Sequence, residues 1–157
     1  MEEMTRDQNT SGTKSRLLRM PPQNLDAERA LLGALILKSE AMHDVSVTVY
    51  PESFYADKHR EIFRAILGIF MQGDPVDILT VTTKLKSRDL LERSGGASYI
   101  TELVESVPAA SNAIYYAELV QNKSILRGLI NAADEIAEIG YSDPENIDNA
   151  MDTAEKK

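Results

Sequence analysis

The sequence predicts an all-α protein in which a globular helical bundle is followed by a helical hairpin. Apolar residues recur at helical spacing in successive segments from residue 24 onward, and capping residues precede several of these segments. The last third contains one long amphipathic stretch without proline. These observations divide the chain into a disordered tail over 1–19, a globular helical bundle over 20–110 and a helical hairpin for subunit pairing over 111–157.

The first helix follows a polar, aperiodic stretch that is typical of a flexible tail. Pro21 and Pro22 hold the backbone extended and exclude a helix before them. Asn24 can cap the first free amide groups, and Asp26 and Glu28 lie in the first turn, where the helix dipole favours negative charge. The residues that bury one face of this helix are Leu31, Leu32, Leu35 and Ile36.

Four more segments complete the predicted bundle. A short helix is expected over about 40–48, and a helix with a strongly apolar stripe over 57–73. Asp77 can cap the next helix, although the sequence ILTVTT that follows it also has strand-like propensity. The last helix of the bundle is expected over 97–107.

The hairpin begins with a long helix from Asn112 to Gly140. Its main apolar stripe comprises Tyr115, Leu119, Leu126, Leu129, Ile130, Ala133 and Ala137, and a second stripe comprises Ile114, Ile125, Ala132 and Ile139. The opposite face carries Lys123, Arg127, Asn131, Asp134 and Glu138. We expect Asp143 to cap the second arm and Pro144 to take its first helical position. This arm stops while still polar and periodic, which predicts a truncated arm and a fragment of a larger protein.

The first arm carries more apolar surface than one short partner helix can cover. Each large apolar side chain left exposed forgoes about 1.5–3 kcal/mol of burial free energy. A second copy of the chain is the simplest partner that would cover this surface. The residues predicted to make the helix contacts with such a partner are Leu119, Leu126, Leu129, Ile136, Ile147 and Met151.

The composition argues against catalysis and metal binding. The chain has 157 residues and no cysteine, and His43 and His59 lack the i, i+4 spacing of a zinc-binding helix, so both are expected to be structural. No cofactor and no catalytic residue are predicted. The net charge is −8, with 25 acidic and 17 basic residues, which favours protein partners over DNA. No apolar run reaches the length of a membrane span, and the cytoplasm is the expected location.

Three segments together resemble a known family. These are PPQNLDAERALLGALIL over 21–37, FYADKHREIFRAILGIFMQGDPVDILTVTTKL over 54–85, and GGASYITELVESVPAASNAIYYAELVQNKSILRGLI over 95–130. Their order and spacing resemble the N-terminal domain of the bacterial replicative DNA helicase, the DnaB family. The resemblance covers about residues 20–157.

The resemblance implies a non-catalytic collar domain whose hairpins pair subunits above a hexameric ring of motor domains. It also implies that the collar binds the C-terminal domain of primase and, in some systems, the helicase loader. ATP, Mg²⁺ and DNA would be bound by the motor domain, which this sequence lacks. The alternative is a stand-alone helical adaptor or helicase-loader-like protein that regulates a helicase without being part of one.

Overall fold

A computed structural model describes residues 19–157, and this range contains no β-strand. Its seven α-helices are α1 (Leu25–Leu37), α2 (Met42–Val45), α3 (Asp57–Met71), α4 (Ile78–Lys86), α5 (Gly96–Glu105), α6 (Ala113–Tyr141) and α7 (Ile147–Glu155). Short 3-10 turns occur at Ser39–Ala41, Pro51–Ser53 and Ala110–Asn112. The all-α prediction is confirmed. The tail expected over 1–19 falls, apart from Arg19, outside the described residues.

Helix α1 lies at the centre of the bundle, where it packs against α3, α5 and α6. It begins as expected at Asn24, whose Oδ1 accepts a hydrogen bond of 3.0 Å from the amide of Ala27. Over about two turns, from Ala30 to Ile36, every residue of α1 is buried, so this part of the helix has no exposed face. A helix surrounded in this way becomes the core around which the others assemble.

Helices α1 and α5 approach each other most closely at Gly33. A Cβ atom built on Gly33 would lie 2.1 Å from the carbonyl oxygen of Leu103 and 2.3 Å from Cγ2 of Val107. Neither distance is compatible with a side chain, because backbone atoms of α5 fill the space. Glycine is therefore required at residue 33 for packing.

The strand-like sequence ILTVTT is helical because its end is capped. The side chain of Asp77 accepts a hydrogen bond of 2.8 Å from the amide of Thr80, and the hydroxyl of Thr80 accepts one of 2.9 Å from the amide of Asp77. This reciprocal pair satisfies two amides at the start of α4. Val81 and Leu85 then bury the inner face of the helix. Capping and burial together outweigh the weak preference of β-branched residues for strands.

Helix α6 belongs both to the bundle and to the hairpin. Its side chains at Ala113, Tyr116, Ala117 and Val120 are buried in the same core as α1 and α3. From Gln121 onward no described side chain of α6 is fully buried. The first two turns of α6 are thus buried in the bundle, and the rest of the helix is exposed or half-buried.

The second arm begins three residues later than expected. Asn146, with extended backbone (φ −109°, ψ 101°), caps α7 by accepting a hydrogen bond of 2.9 Å from the amide of Asn149. Asp143 instead has a positive φ of 49° in the turn, a conformation that a helix-capping residue does not adopt. Pro144 consequently lies in the turn, so the expected roles of these two residues are wrong.

We predict that Gly33→Ala lowers the free energy of unfolding by at least about 2 kcal/mol, because the new methyl group must displace the backbone of α5. Gly68→Ala is the matched control: its Cβ would meet nothing closer than Lys84 Cε at 3.9 Å. Within α3 this change should raise stability by about 0.5–1 kcal/mol. Urea unfolding followed by circular dichroism measures both, and equal stabilities of the two variants would contradict the packing argument.

Candidate functional site

The predicted interface residues lie mainly on the exposed part of the hairpin. Five of the six are exposed: Leu126, Leu129, Ile136, Ile147 and Met151. The sixth, Leu119, is half-buried against the bundle core. We use the term hairpin surface for the exposed leucine, isoleucine and methionine side chains of α6 beyond Val120 and of α7, namely Ile125, Leu126, Leu129, Ile130, Ile136, Ile147 and Met151. Their part in a subunit contact stays a prediction.

The hairpin surface is exposed because α6 turns its other side toward the bundle. Arg127 follows the buried Val120 by seven residues, or about two turns, and so lies on the same side of the helix. Leu129 follows Val120 by nine residues and lies about 180° away from it. Accordingly, Leu129 is 66% exposed, whereas Arg127 contacts the bundle. The polar face predicted opposite the apolar stripes therefore faces the bundle at Arg127.

Helix α7 covers only part of the first arm. Ile139 of α6 and Ala150 of α7 line a crevice between the two arms, and Lys157 Nζ lies 2.6 Å from Glu135 Oε2. The exposed leucines and isoleucines of the hairpin surface remain outside this contact. Because complete burial of one such side chain contributes about 1.5–3 kcal/mol, the surface has a large capacity for association with an apolar partner.

Arg127 connects the hairpin to two loops of the bundle. Its Nη1 donates a hydrogen bond of 2.7 Å to the carbonyl oxygen of Pro22, and its Nη2 donates one of 2.6 Å to that of Ser53. The guanidinium lies 5.7 Å from the centroid of the Tyr55 ring. Burial lowers the pKa of Arg127 from its ordinary value, and the nearby carboxylate of Glu28 acts in the opposite direction. The group remains a cation because an arginine pKa begins far above neutrality.

A cleft of about 860 Å³ lies beside this junction. Its lining includes Arg19, Met20, Tyr55, Arg127 and Ile130. The lining mixes basic, acidic and apolar side chains, so its chemistry does not single out one class of ligand.

A buried chain of hydrogen bonds joins α1, α3 and α5. His59 Nδ1 lies 2.6 Å from Glu28 Oε2, and His59 Nε2 lies 2.7 Å from the hydroxyl of Tyr99. Oε1 of Glu28 also accepts a hydrogen bond of 2.6 Å from the amide of Tyr55. With Nδ1–H donated to the carboxylate, Nε2 is free to accept from the tyrosine hydroxyl. The three side chains thereby satisfy one another.

This chain of groups holds helices together and offers nothing to a substrate. Glu28 is 2% exposed and His59 is 1% exposed. A catalytic acid or base must reach the reacting atoms, which such burial prevents. Among residues 19–157 no group of three or more histidine, cysteine, aspartate or glutamate side chains could hold a metal ion. Every helix in the same range is too short or too polar to cross a membrane.

The sequence analysis missed the functional importance of Glu28, Gly33 and Arg127. The sequence places Glu28 in the first turn of α1 and Arg127 on the polar face of the long helix, and it predicts no tertiary contact for either. Helical spacing contains one usable signal for Arg127, since it continues the side defined by Tyr116 and Val120. No signal within α1 marks Glu28, because its partners, His59 and the amide of Tyr55, come from α3 and the loop before α3.

Comparison with known proteins gives one matching family model and relatives that are replicative DNA helicases. The model of the DnaB-like helicase N terminal domain matches residues 20–122. The replicative DNA helicase DnaC of Bacillus subtilis (strain 168) is 45% identical over 138 residues, which is 88% of this chain and 30% of that protein. The replicative DNA helicase DnaB of Geobacillus stearothermophilus is 45% identical over 139 residues, 88% of this chain and 31% of that protein. This chain thus spans about 30% of the length of these curated relatives.

Two solved structures are similar to this one. The crystal structure of the N-terminal domain of DnaB helicase from Mycobacterium tuberculosis has a TM-score of 0.84 and 39% identity, covering 87% of this chain and 97% of that one. A DnaB-like replicative helicase, described with its interactions with primase, has a TM-score of 0.66 and 27% identity, covering 73% of this chain and 27% of that one.

We predict that Glu28→Ala lowers the free energy of unfolding by about 3–5 kcal/mol, because it leaves His59 and a backbone amide buried without their acceptor. Glu102→Ala is the matched control, since Glu102 pairs with Arg29 at the surface and is 55% exposed at its side chain. Its loss should cost less than about 1 kcal/mol. Urea unfolding measures both variants. A Glu28→Ala protein as stable as Glu102→Ala would show that the buried network contributes little.

Proposed function

This chain belongs to the DnaB-like helicase N-terminal domain family, and we propose that it is the non-catalytic collar domain of a replicative DNA helicase. In this role the hairpins of two subunits pair, and the joined surfaces bind the C-terminal domain of primase. The proposal assigns assembly to this domain and leaves DNA unwinding to the rest of the parent protein.

The hairpin surface is the observation that carries the proposed pairing. It exposes leucine, isoleucine and methionine side chains along α6 and α7, on the side of α6 that faces away from the bundle. Large exposed apolar patches are uncommon on monomeric soluble proteins. Where they occur, they often mark a site of contact with another protein. A second hairpin offers a surface of the same chemistry, and two-fold pairing of identical surfaces closes on itself.

Primase is proposed as a partner because a similar helicase structure was described with its interactions with primase. The acidic surface of this chain is consistent with a protein partner, since the net charge of −8 disfavours phosphate binding. The finer assignments rest on the family alone. They are a hexameric parent, a contact with the helicase loader in some systems, a cytoplasmic location, and ATP, Mg²⁺ and DNA held by the motor domain.

A stand-alone adaptor or helicase-loader-like protein is the rival function. Both functions use the same fold, so the fold does not separate them. They differ in the gene: a collar domain requires that the coding sequence continue into a motor with a GxxxxGK[ST] phosphate-binding loop. Sequencing across codon 157 in the source genome decides between them, and an in-frame stop there would favour the adaptor.

We predict that Leu129→Asp weakens self-association of the chain. Removing one leucine from each half of a paired interface costs about 3–6 kcal/mol, which corresponds to at least about a 100-fold rise in the dissociation constant. Light scattering over a range of concentrations measures this change. Because Leu129 is 66% exposed, the variant should retain the helicity of the wild type.

Leu79→Asp is the control for a charge placed on an exposed leucine. Leu79 lies on α4, outside the hairpin, and is 74% exposed. We expect this variant to associate as the wild type does. A folded Leu129→Asp protein with the mass of the wild type at every concentration would disprove pairing through this surface. Loss of helicity in Leu129→Asp alone would instead assign Leu129 to the core.

We also predict saturable binding in a calorimetric titration of this chain with the C-terminal domain of primase from the same organism. Leu79→Asp should bind as the wild type does, because the change lies outside the hairpin surface. Absence of binding by a chain that forms a stable dimer would exclude the proposed docking of primase and would favour the adaptor.

A further inference from the structure

The long arm of the hairpin, α6, extends well beyond its last fully buried residue. A small change of angle at its base therefore moves its tip by a large distance. Val120 is the last fully buried residue of α6, and the helix continues for 21 residues to Tyr141. At 1.5 Å per residue this part is about 32 Å long. A tilt of about 10° at Val120 would therefore move the tip by about 5–6 Å. Buried contacts from Ala113 to Val120 hold only the first two turns of the helix, so a contact further along it restricts its direction more strongly.

Arg127 supplies a second attachment point about 10 Å further along the helix, since it follows Val120 by seven residues. Its two donor nitrogens bind two different loops, through the carbonyl oxygens of Pro22 and Ser53. Because a guanidinium is planar and its donors have a fixed geometry, two such bonds restrict both the position and the orientation of the side chain. The ring of Tyr55 lies alongside and limits it further.

The loop that Arg127 binds is itself rigidly attached to the bundle. Within the loop, the Ser53 hydroxyl accepts a hydrogen bond of 3.1 Å from the amide of Tyr50, and it donates one of 2.8 Å to Gln121 Oε1 near the base of α6. Two residues later, the amide of Tyr55 donates to Glu28. Arg60 Nε donates a hydrogen bond of 2.8 Å to the carbonyl oxygen between them, that of Phe54. A cation fixed to this loop is consequently fixed to the core.

We propose that Arg127 is a positioning residue that sets the direction of the hairpin relative to the bundle. It acts on α6 of its own chain, so the proposal does not depend on which partner the hairpin binds. Where the hairpin pairs with a second copy, the same contact determines the angle at which two bundles meet.

The test measures the direction of the hairpin directly. The chain contains no cysteine, so Ala97→Cys on α5 and Glu145→Cys in the hairpin turn, both at exposed positions, provide the two spin-label sites. Pulsed electron spin resonance on labelled protein diluted with excess unlabelled protein reports the distance within one chain. We expect a single narrow distribution for the wild type. Arg127→Met keeps the aliphatic length but loses both donors, and should broaden or shift the distribution by at least about 5 Å.

Two further variants test whether the change in the distance distribution is specific to the hydrogen bonds of Arg127. Lys123→Ala removes a positive charge from the same helix one turn earlier and should leave the distribution narrow. Arg127→Lys keeps the charge but not the planar fork, and should give a distribution broader than that of the wild type. If Arg127→Met loses helicity, the comparison of Arg127→Lys with the wild type decides. A wild-type distribution in a folded Arg127→Met or Arg127→Lys protein would overturn the proposal.

Failure of the pairing proposal is distinguishable from failure of this one. The labelled Leu129→Asp protein should keep the narrow distribution even if it is monomeric, because Leu129 lies on the side of α6 opposite the bundle. Arg127→Met should change the distribution whether or not the chain associates. A change in Leu129→Asp but not in Arg127→Met would place the control of hairpin direction in the subunit contact and refute the role of Arg127.

Discussion

The buried carboxylate of Glu28 is the constraint on which the rest of the structure depends. A carboxylate removed from water is stable only when hydrogen bonds and an opposing dipole or charge replace its hydration. Here the carboxylate binds Nδ1 of His59 on α3 and the amide of Tyr55 in the loop before α3, and Tyr99 on α5 in turn binds Nε2 of His59. Satisfying this one group therefore fixes the relative positions of three helices and one loop.

The loop over 50–56 connects the Glu28 hydrogen-bond network to the hairpin. Glu28 binds it from within the bundle, and Arg127 binds it from α6. Burial lowers the pKa of Arg127, and the Glu28 carboxylate lies close enough to oppose part of this lowering. One consequence is that the side of α6 facing the bundle is polar beyond Val120. The apolar stripe is left on the opposite side, free for another protein. Rigid attachment and an available apolar surface are both what a platform for assembly needs.

The two sequence motifs that first indicated the family meet in space. Glu28 lies in PPQNLDAER and His59 in DKHREIF, and their side chains are joined by a hydrogen bond of 2.6 Å. The motifs thus have a physical reason to occur together, because neither polar group could be buried without the other. Catalysis plays no part in this reason. The pair, enclosed by the core, supports the surface that we propose for pairing and for primase.

The sequence by itself determined the elements that depend on neighbours along the chain. Caps at Asn24 and Asp77, and the apolar periodicity of each helix, predicted the all-α bundle and the hairpin, because caps and helical faces are set within a few residues. Tertiary structure alone decided that Glu28 is buried and that the polar side of α6 faces the bundle at Arg127. Periodicity defines two sides but not their surroundings, so it predicted no tertiary contact for Glu28 or Arg127. Their burial depends on partners 27 to 105 residues away, and no local pattern encodes contacts across such separations.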